Sequence, residues 1–307
     1  MRRPRLAALL TLLIGCNTFG LATAQNAPLT TPAVEDRYAE NDGVRIHYVA
    51  SGEGPLVILI HGFGDYSATW DSLAAALNDA YRVAAIDTRG YNLSDQPQSE
   101  AAYAMPQLVG DIAAVIASEK RTSATLVGHD WGGLIAWSVA ITMREKVDDL
   151  VILAMPHPAL LAKDIIAHPA RYAGNPYVAM FREAGSEDKL TPEMLAAWVT
   201  DPVERAKYLA ALTRSSRKAM MSYFRANDLP VASAAEEASG AWFNLPLMII
   251  HGADDTFIPQ SSQDDAWQYA SNDSAKLVVP KAGHFVHRDA ADLVNRSIRS
   301  WLDLHRK

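Results

Sequence analysis

Short runs of apolar residues recur along the chain and predict the strands of a sheet. Residues 44–49 alternate apolar and polar positions, as a half-buried strand does. Residues 56–60 are continuously apolar, as expected for a strand that is buried on both faces. Five further runs are of this second type: 83–86, 124–127, 151–154, 247–250 and 277–279. The pattern therefore predicts a sheet with a buried centre.

Helical spacing fills most of the intervals between these strands. Apolar residues recur three or four positions apart in five stretches: 70–77, 107–118, 134–143, 263–269 and 293–304. Buried strands that alternate with helices predict an α/β fold, in which a mostly parallel sheet is joined by right-handed crossovers and flanked by helices.

The alternation stops after residue 154. Residues 157–239 are helical in character, contain no buried run, and are rich in aromatic residues and methionine. We expect a helical cap, inserted at residues 156–239, that covers the C-terminal edge of the sheet. Residues 25–155 and 240–307 would then form the core. The aromatic residues of the cap either pack within it or face a pocket, and the sequence leaves both open.

The N-terminus has the pattern of a secretory signal peptide at residues 1–24. Three arginines within the first five residues precede an apolar run, and Ala22 and Ala24 form an Ala-x-Ala cleavage site. We expect cleavage after Ala24 and export to the periplasm or the medium, followed by a Pro/Thr linker at residues 25–35. The alternative is a lipoprotein, because the residues before Cys16 resemble a lipidation box.

Composition narrows the class of protein. The chain has 307 residues, of which 49% are hydrophobic and 21% charged, which is typical of a soluble globular protein. A formal charge of −7 argues against nucleic acid as a partner. Cys16 is the only cysteine, so no disulfide is expected, and without cysteine ligands or an HExxH pair we expect no zinc site. The oligomeric state is not predicted.

A sharp turn between a predicted strand and a predicted helix carries the main chemical signal. Residues 128–133 read Gly-His-Asp-Trp-Gly-Gly, which has the form Gly-x-nucleophile-x-Gly. Such a turn exposes one side chain at the top of the sheet, and here that side chain is the carboxylate of Asp130. A helix N-terminus favours the ionised form. The alternative, an aspartate that only caps the helix, does not need glycines on both sides.

The remaining candidate residues follow other strands. His284, after the last strand, is the predicted general base that activates water. Asp255, preferred over its neighbour Asp254, is the predicted acid that orients the imidazole. The backbone N–H groups of Phe63 and Trp131 would form an oxyanion hole. The order nucleophile, acid, base is the one found in α/β-hydrolases, and His287 is expected at the surface.

These motifs resemble the epoxide hydrolase and haloalkane dehalogenase branch of the α/β-hydrolase fold, from about Tyr38 to the C-terminus. The matching segments are HGFG at 61–64, DTRGYNLSD at 87–95, MPHP at 155–158 and AGHF at 282–285, together with GHDWGG. The resemblance implies an aspartate nucleophile, a covalent alkyl-enzyme ester, and hydrolysis by water activated at histidine. It implies neither a cofactor nor a metal.

Within that branch, the leaving group separates two activities. Epoxide hydrolases supply hydroxyl donors from the cap, usually tyrosines, but the two matching positions hold Met180 and Phe224. We therefore predict Tyr177 and Tyr223 as the donors. The proline that usually follows the first loop motif of the family is Gly64 here.

Dehalogenases bind the halide with N–H donors instead. Trp131 offers an indole N–H, but Phe63 stands where an asparagine is common, and Trp198 could only substitute for it. Haloacid-type relatives carry arginine directly after the nucleophile, which this chain lacks. The sequence therefore favours a hydrolase for a small apolar epoxide over one for a halogenated substrate, with water as the second reactant. A third possibility is a relative that binds a ligand without catalysis.

Overall fold

The computed structural model describes residues 33–170, 180–227, 245–270 and 273–306. The predicted signal peptide, Cys16 and most of the predicted linker lie outside the described residues, and so does Tyr177.

Eight strands form one sheet in the order β1-β2-β4-β3-β5-β6-β7-β8. The pairs β1–β2 and β2–β4 are antiparallel, and all the other neighbours are parallel, which confirms the predicted mostly parallel sheet. The strands are β1 Val34–Asn41, β2 Val44–Ser51, β3 Leu56–Ile60, β4 Arg82–Ile86, β5 Ala124–His129, β6 Val147–Leu153, β7 Leu247–Gly252 and β8 Ser274–Val279.

The edge strand β1 has no counterpart in the sequence prediction. It begins at Val34, so the predicted linker at residues 25–35 extends two residues too far. Most of its residues are exposed, and it therefore lacks the apolar run that marks the other strands. A two-residue loop, Asp42–Gly43, joins it to β2, and both loop residues have positive φ. This is the backbone that a tight hairpin requires.

Four long helices pack on the two faces of the sheet. They are α1 Asp71–Leu77, α2 Met105–Ser118, α3 Trp131–Thr142 and, at the C-terminal end, α9 Ala291–His305, which follows a short helix α8 Val286–Asp289. The helix predicted at residues 263–269 is wrong, because this segment contains two separate 3-10 turns, Gln260–Gln263 and Ala266–Tyr269. Only Ala266 is buried in the second turn, so no apolar face stabilises a longer helix there.

Helices alone occupy the described part of the chain between β6 and β7. The α-helices described in full are α4 Pro158–Ala167, α5 Pro192–Leu195, α6 Pro202–Arg214 and α7 Arg217–Ala226, and residues 180–182 and the 3-10 turn Ser186–Lys189 are also helical. The helical character predicted for this region agrees with these elements, whereas the exact boundaries of a cap remain a prediction. Among the described residues, no helix is both long enough and apolar enough to cross a membrane.

Alternating side chains of β3 divide the core into two halves. Ile58 and Ile60 belong to the half that includes α2 and α3, whereas Val57 and Leu59 belong to the half that includes α1 and α9. Because both faces are covered, the central strands are apolar throughout, as the sequence indicates. The C-terminal ends of the parallel strands meet at one edge, and the loops that follow β3, β5, β7 and β8 carry the candidate site.

Candidate active site

The turn between β5 and α3 holds Asp130 in a strained backbone conformation. Its φ is 50° and its ψ is −121°, a region that residues with a side chain rarely adopt. The glycines on either side are required sterically. A Cβ on Gly128 would lie 2.3 Å from the carbonyl oxygen of Gly132, and a Cβ on Gly132 would lie 2.1 Å from that of Ile60. The sequence therefore builds a turn that projects one carboxylate.

The two carboxylate oxygens of Asp130 face different partners. The backbone N–H of Phe63 donates a hydrogen bond of 2.9 Å to Oδ1. The other oxygen, Oδ2, lies 3.4 Å from Nε2 of His284. The side chain of Asp130 is 16% exposed, so it remains accessible from one direction.

The second ring nitrogen of His284 is held by Asp255. Nδ1 of His284 lies 2.9 Å from Oδ2 of Asp255, whose side chain is fully buried. The other oxygen of Asp255 accepts hydrogen bonds from the backbone N–H groups of Phe257 (2.8 Å) and Ile258 (3.0 Å). The structure thus brings together the three residues predicted as nucleophile, base and acid, and it places Asp255 rather than Asp254 against the imidazole.

Burial and electrostatic interactions have opposite effects on the pKa values of Asp130 and His284. Burial by itself favours the neutral forms, but the hydrogen bond and charge of His284 lower the pKa of Asp130 to about 2. In the same way, burial opposes the charged imidazole, whereas the hydrogen bonds to Asp130 and Asp255 raise the pKa of His284 to about 10. At neutral pH the resting site therefore contains an ionised carboxylate beside an imidazolium.

The loop after β3 lies against the nucleophile. A Cβ on Gly62 would lie 2.6 Å from Cβ of Asp130, so glycine is needed for this close approach. Gly64 has a φ of 68°, which proline cannot adopt because its ring fixes φ near −65°. The backbone of this loop therefore differs at residue 64 from any loop that carries the family's usual proline there. Trp131 is the first residue of α3, and its N–H is one of the helix donors without an intrahelical acceptor.

Aromatic rings surround the approach to Asp130. Phe63 lies 4.6 Å from Phe181 and 5.3 Å from Phe224, measured between ring centroids. Phe224 also packs edge-on against Trp131 at 5.0 Å. The position expected to carry a donor tyrosine thus holds a ring without a hydroxyl, close to the nucleophile.

Tyr223 is placed differently from the prediction. Its side chain is buried, and its hydroxyl donates a hydrogen bond of 2.7 Å to the carbonyl oxygen of Arg89. Burial raises its pKa further above the ordinary value. The ring of Tyr223 packs edge-on against that of Trp131 at 5.5 Å, but its hydroxyl is directed to the loop after β4. This placement favours a packing role for Tyr223, which the sequence could not distinguish from donation.

The sequence prediction misplaced one histidine near the site and assigned no role to another. His287, expected at the surface, is only 4% exposed, and its ring stacks on Trp70 at 4.6 Å. His129, which directly precedes Asp130, is buried, and its Nε2 lies 2.9 Å from the carbonyl oxygen of His284. The spacing of apolar residues does not predict the burial of either histidine, because the loops that bury them meet only in the folded chain.

Comparison with known proteins identifies the fold family of this chain. Residues 55–291 match the family model described as the alpha/beta hydrolase fold. The AB hydrolase superfamily protein YfhM of Bacillus subtilis is 29% identical over 286 residues, which cover 88% of this chain and 98% of that protein. Epoxide hydrolase 1 of Caenorhabditis elegans is 28% identical over 294 residues, which cover 88% of this chain and 70% of that protein.

A solved structure supports the same comparison. A mutant epoxide hydrolase from Bacillus megaterium, in complex with its diol product, superposes with a TM-score of 0.78 and 26% identity. The superposition covers 87% of this chain and 100% of that one. The predicted α/β-hydrolase fold is thereby confirmed.

Proposed function

The chain belongs to the alpha/beta hydrolase fold family, and we propose that it opens epoxides to vicinal diols with Asp130 as nucleophile. Its epoxide hydrolase relatives make it a hydrolase, so the alternative of a protein that only binds a ligand is set aside. The observation that carries the proposal is the pairing of Asp130 with His284, because a carboxylate at the nucleophile position selects attack on carbon and formation of an ester.

In the first step, Oδ2 of Asp130 attacks an epoxide carbon. The ring C–O bond breaks, the departing oxygen takes a proton from a donor, and a hydroxyalkyl ester remains on Asp130. Oδ1 is already held by the Phe63 N–H at 2.9 Å, so it is the oxygen that becomes the ester carbonyl. Ionisation supports this step, since the low pKa of Asp130 keeps the nucleophile charged.

In the second step, His284 activates a water molecule. Formation of the ester removes the negative charge of Asp130, which is one of the causes that raise the pKa of His284. The imidazole can then release its proton and accept one from water, while Asp255 holds it in place. Water attacks the ester carbonyl, and the N–H groups of Phe63 and Trp131 stabilise the oxyanion. The ester C–O bond then breaks, and the leaving oxygen takes the proton from His284 to give the diol. The new carboxyl group passes its own proton to the imidazole, which restores the resting carboxylate and imidazolium.

The first step also needs a proton donor for the oxygen that leaves the epoxide carbon. Tyr223 is occupied by the Arg89 carbonyl, so Tyr177, which lies outside the described residues, is the remaining candidate from the sequence. Met180 and Phe224 supply no hydroxyl at the positions where the family usually carries donors.

That lack of hydroxyls favours dehalogenation as the second candidate function. A halide leaves as an anion and needs an N–H donor rather than a proton, and the indole of Trp131 lies directly after the nucleophile in the chain. The ring of Phe224, 5.0 Å from Trp131, adds an apolar wall suited to a haloalkane. The epoxide hydrolase relatives weigh against this candidate.

Intact-mass spectrometry of the His284→Gln protein separates the two functions. The variant would form the ester but fail to release it, because only the second step needs the base. With hexene oxide, an adduct of the whole epoxide mass is expected. With bromohexane, an adduct of the hexyl group without bromine would instead identify a dehalogenase. If the folded variant forms no adduct with either probe, the proposed covalent mechanism is wrong for these substrates.

A control variant tests whether the adduct is attached to Asp130. The double variant Asp130→Asn, His284→Gln should take up neither mass, since its amide oxygen is a poor nucleophile. An adduct of unchanged size in the double variant would place the modification on another residue.

A further inference from the structure

A buried polar cluster lies directly beneath the loop that carries His284. It consists of Asp65, His129 and His287, all of them buried, and one potential ligand atom from each lies within 4.8 Å of the others. Three of their atoms have no hydrogen-bond partner: Oδ2 of Asp65 and Nδ1 of both histidines. Since buried polar groups are normally paired, this cluster requires an explanation.

The hydrogen bond of His129 fixes its tautomer. The carbonyl oxygen of His284 can only accept, so the ring nitrogen that lies 2.9 Å away, Nε2, must carry the proton. Burial lowers the pKa of His129 well below its ordinary value, so the ring is neutral and has this single N–H to donate. The donor is therefore committed to the main chain of the predicted base.

His129 also contacts the loop after β8 through its ring. Its centroid lies 4.8 Å from that of His284 and 4.5 Å from that of His287. His287 is anchored in turn, because its Nε2 lies 2.9 Å from Oγ1 of Thr69 and 3.8 Å from Oδ2 of Asp65. Asp65 and Thr69 follow the loop after β3. The cluster thus ties together the three segments that carry the Phe63 donor, the nucleophile and the base.

We propose that His129 is a positioning residue, which holds the main chain of His284 so that its imidazole keeps its place between Asp130 and Asp255. His129 and Asp130 are consecutive, so one dipeptide carries the nucleophile and the support of the base. The Thr69–His287 contact adds a second support just after the loop, at His287. The inference rests on the proposed function, because it concerns the step in which His284 activates water.

A divalent cation fits this cluster less well. In a tetrahedral zinc site, metal–ligand distances of about 2.0–2.2 Å place the ligand atoms roughly 3.4 Å apart. Here Nε2 of His287 lies 3.8 Å from Oδ2 of Asp65 and already has Thr69 as a partner. Nε2 of His129 is likewise committed to the carbonyl oxygen of His284. The geometry therefore favours a positioning network.

A matched pair of variants tests the proposal. His129→Leu removes the donor but keeps an apolar side chain of similar bulk, whereas His129→Gln keeps an N–H at a similar distance from the backbone. Single-turnover quenching with hexene oxide, followed by mass spectrometry, measures ester formation and ester hydrolysis separately. We expect hydrolysis to slow by about tenfold to a hundredfold in the leucine variant, as for a misplaced catalytic group, with ester formation within about threefold of the parent. The glutamine variant should hydrolyse the ester at nearly the parental rate.

A second readout does not need a substrate. NMR titration of the His284 imidazole reports its hydrogen bonds to Asp130 and Asp255, so its pKa should fall in the leucine variant and stay in the glutamine variant. If His129→Leu does not fold, Thr69→Val tests the contact between Thr69 and His287 instead, with Thr69→Ser as its control. The measurements are again the rate of ester hydrolysis and the pKa of His284.

The outcomes separate this inference from the proposed function. If neither probe forms an ester with the parent enzyme, the proposed function fails, and the His284 titration alone decides the positioning role. If hydrolysis and titration are both unchanged in the leucine variant, the positioning role is wrong. Stoichiometric binding of Zn²⁺ or Co²⁺ that is lost in this variant would also overturn it, because the cluster would then be a metal site.

Discussion

The backbone N–H of Phe63 donates a hydrogen bond of 2.9 Å to Oδ1 of Asp130, across the gap between two loops that are 67 residues apart in the chain. This contact holds the carboxylate in one orientation and leaves Oδ2 as the oxygen that faces His284. The relationship makes the nucleophile testable with little disturbance of the fold.

Asp130→Asn should abolish turnover while the protein stays folded. The amide oxygen of asparagine still accepts the hydrogen bond from Phe63, but the charge needed for attack on carbon is lost. We expect a rate lower by at least about a thousandfold, as when a covalent nucleophile is removed. Hydrolysis of a small epoxide by freshly prepared protein is the measurement.

Slow deamidation would restore some activity to this variant, so intact mass must be followed in parallel. Activity that rises with the mass of the aspartate form is consistent with the assignment. Full activity at the mass of the asparagine form would contradict it.

The same substitution should change the titration of His284. Hydrogen bonding and charge from Asp130 are among the causes that raise the pKa of His284 to about 10. Removing that charge should lower the pKa, as formation of the ester would do. NMR titration of the imidazole in both proteins measures the shift. An unchanged pKa would mean that Asp255 alone sets the protonation of the base.

The candidate tyrosines should differ in their effects on catalysis. Tyr223→Phe removes a hydroxyl that donates to the Arg89 carbonyl, so we expect a loss of stability of about 1 kcal/mol and little change in the rate of ester formation. Tyr177→Phe should slow epoxide opening if Tyr177 is the donor. Thermal unfolding and single-turnover ester formation distinguish the two effects. Slower ester formation in a stable Tyr223→Phe protein would restore it as a donor.

Export can be tested on the full chain expressed in a bacterial host. We expect the mature protein to begin at Gln25, as shown by intact mass or N-terminal sequencing of the periplasmic fraction. Radiolabelled palmitate on a membrane-bound form, lost in Cys16→Ser, would instead identify a lipoprotein. A protein that retains Met1 in the cytosol would exclude both.

The sequence predicts the central sheet and the candidate triad of Asp130, Asp255 and His284 because both leave local signals. Buried strands are apolar on both faces, and the turn at Asp130 needs glycine at positions 128 and 132 for steric reasons that the structure shows directly. The edge strand β1 leaves no such signal, since it is mostly exposed. The burial of His287 and the direction of Tyr223 depend on contacts with Trp70 and Arg89, and no spacing in the sequence records these tertiary contacts.

Asp149, near the start of β6, should make stability depend on pH. It is 4% exposed, and burial raises its pKa to about 6, although Trp301 Nε1 donates a hydrogen bond of 2.9 Å to Oδ1. Nδ1 of His305 lies 3.7 Å from the other oxygen, and Asp148 is the neighbouring acid. Because the folded pKa exceeds the ordinary value of about 3.9, the free energy of unfolding should fall as the pH rises from about 4 to 6.

Asp149→Asn should remove this loss, since its amide oxygen still accepts from Trp301. We expect the variant to be more stable than the parent by about 1–3 kcal/mol at pH near 8 and to gain little at pH near 4. Urea unfolding at both pH values measures the difference. Asp148→Asn is the comparison variant, because the charge of Asp148 is one of the smaller causes of the raised pKa of Asp149, so this variant should weaken the pH dependence without removing it. A gain that is equal at both pH values would mean that the stabilisation comes from packing rather than from the buried charge.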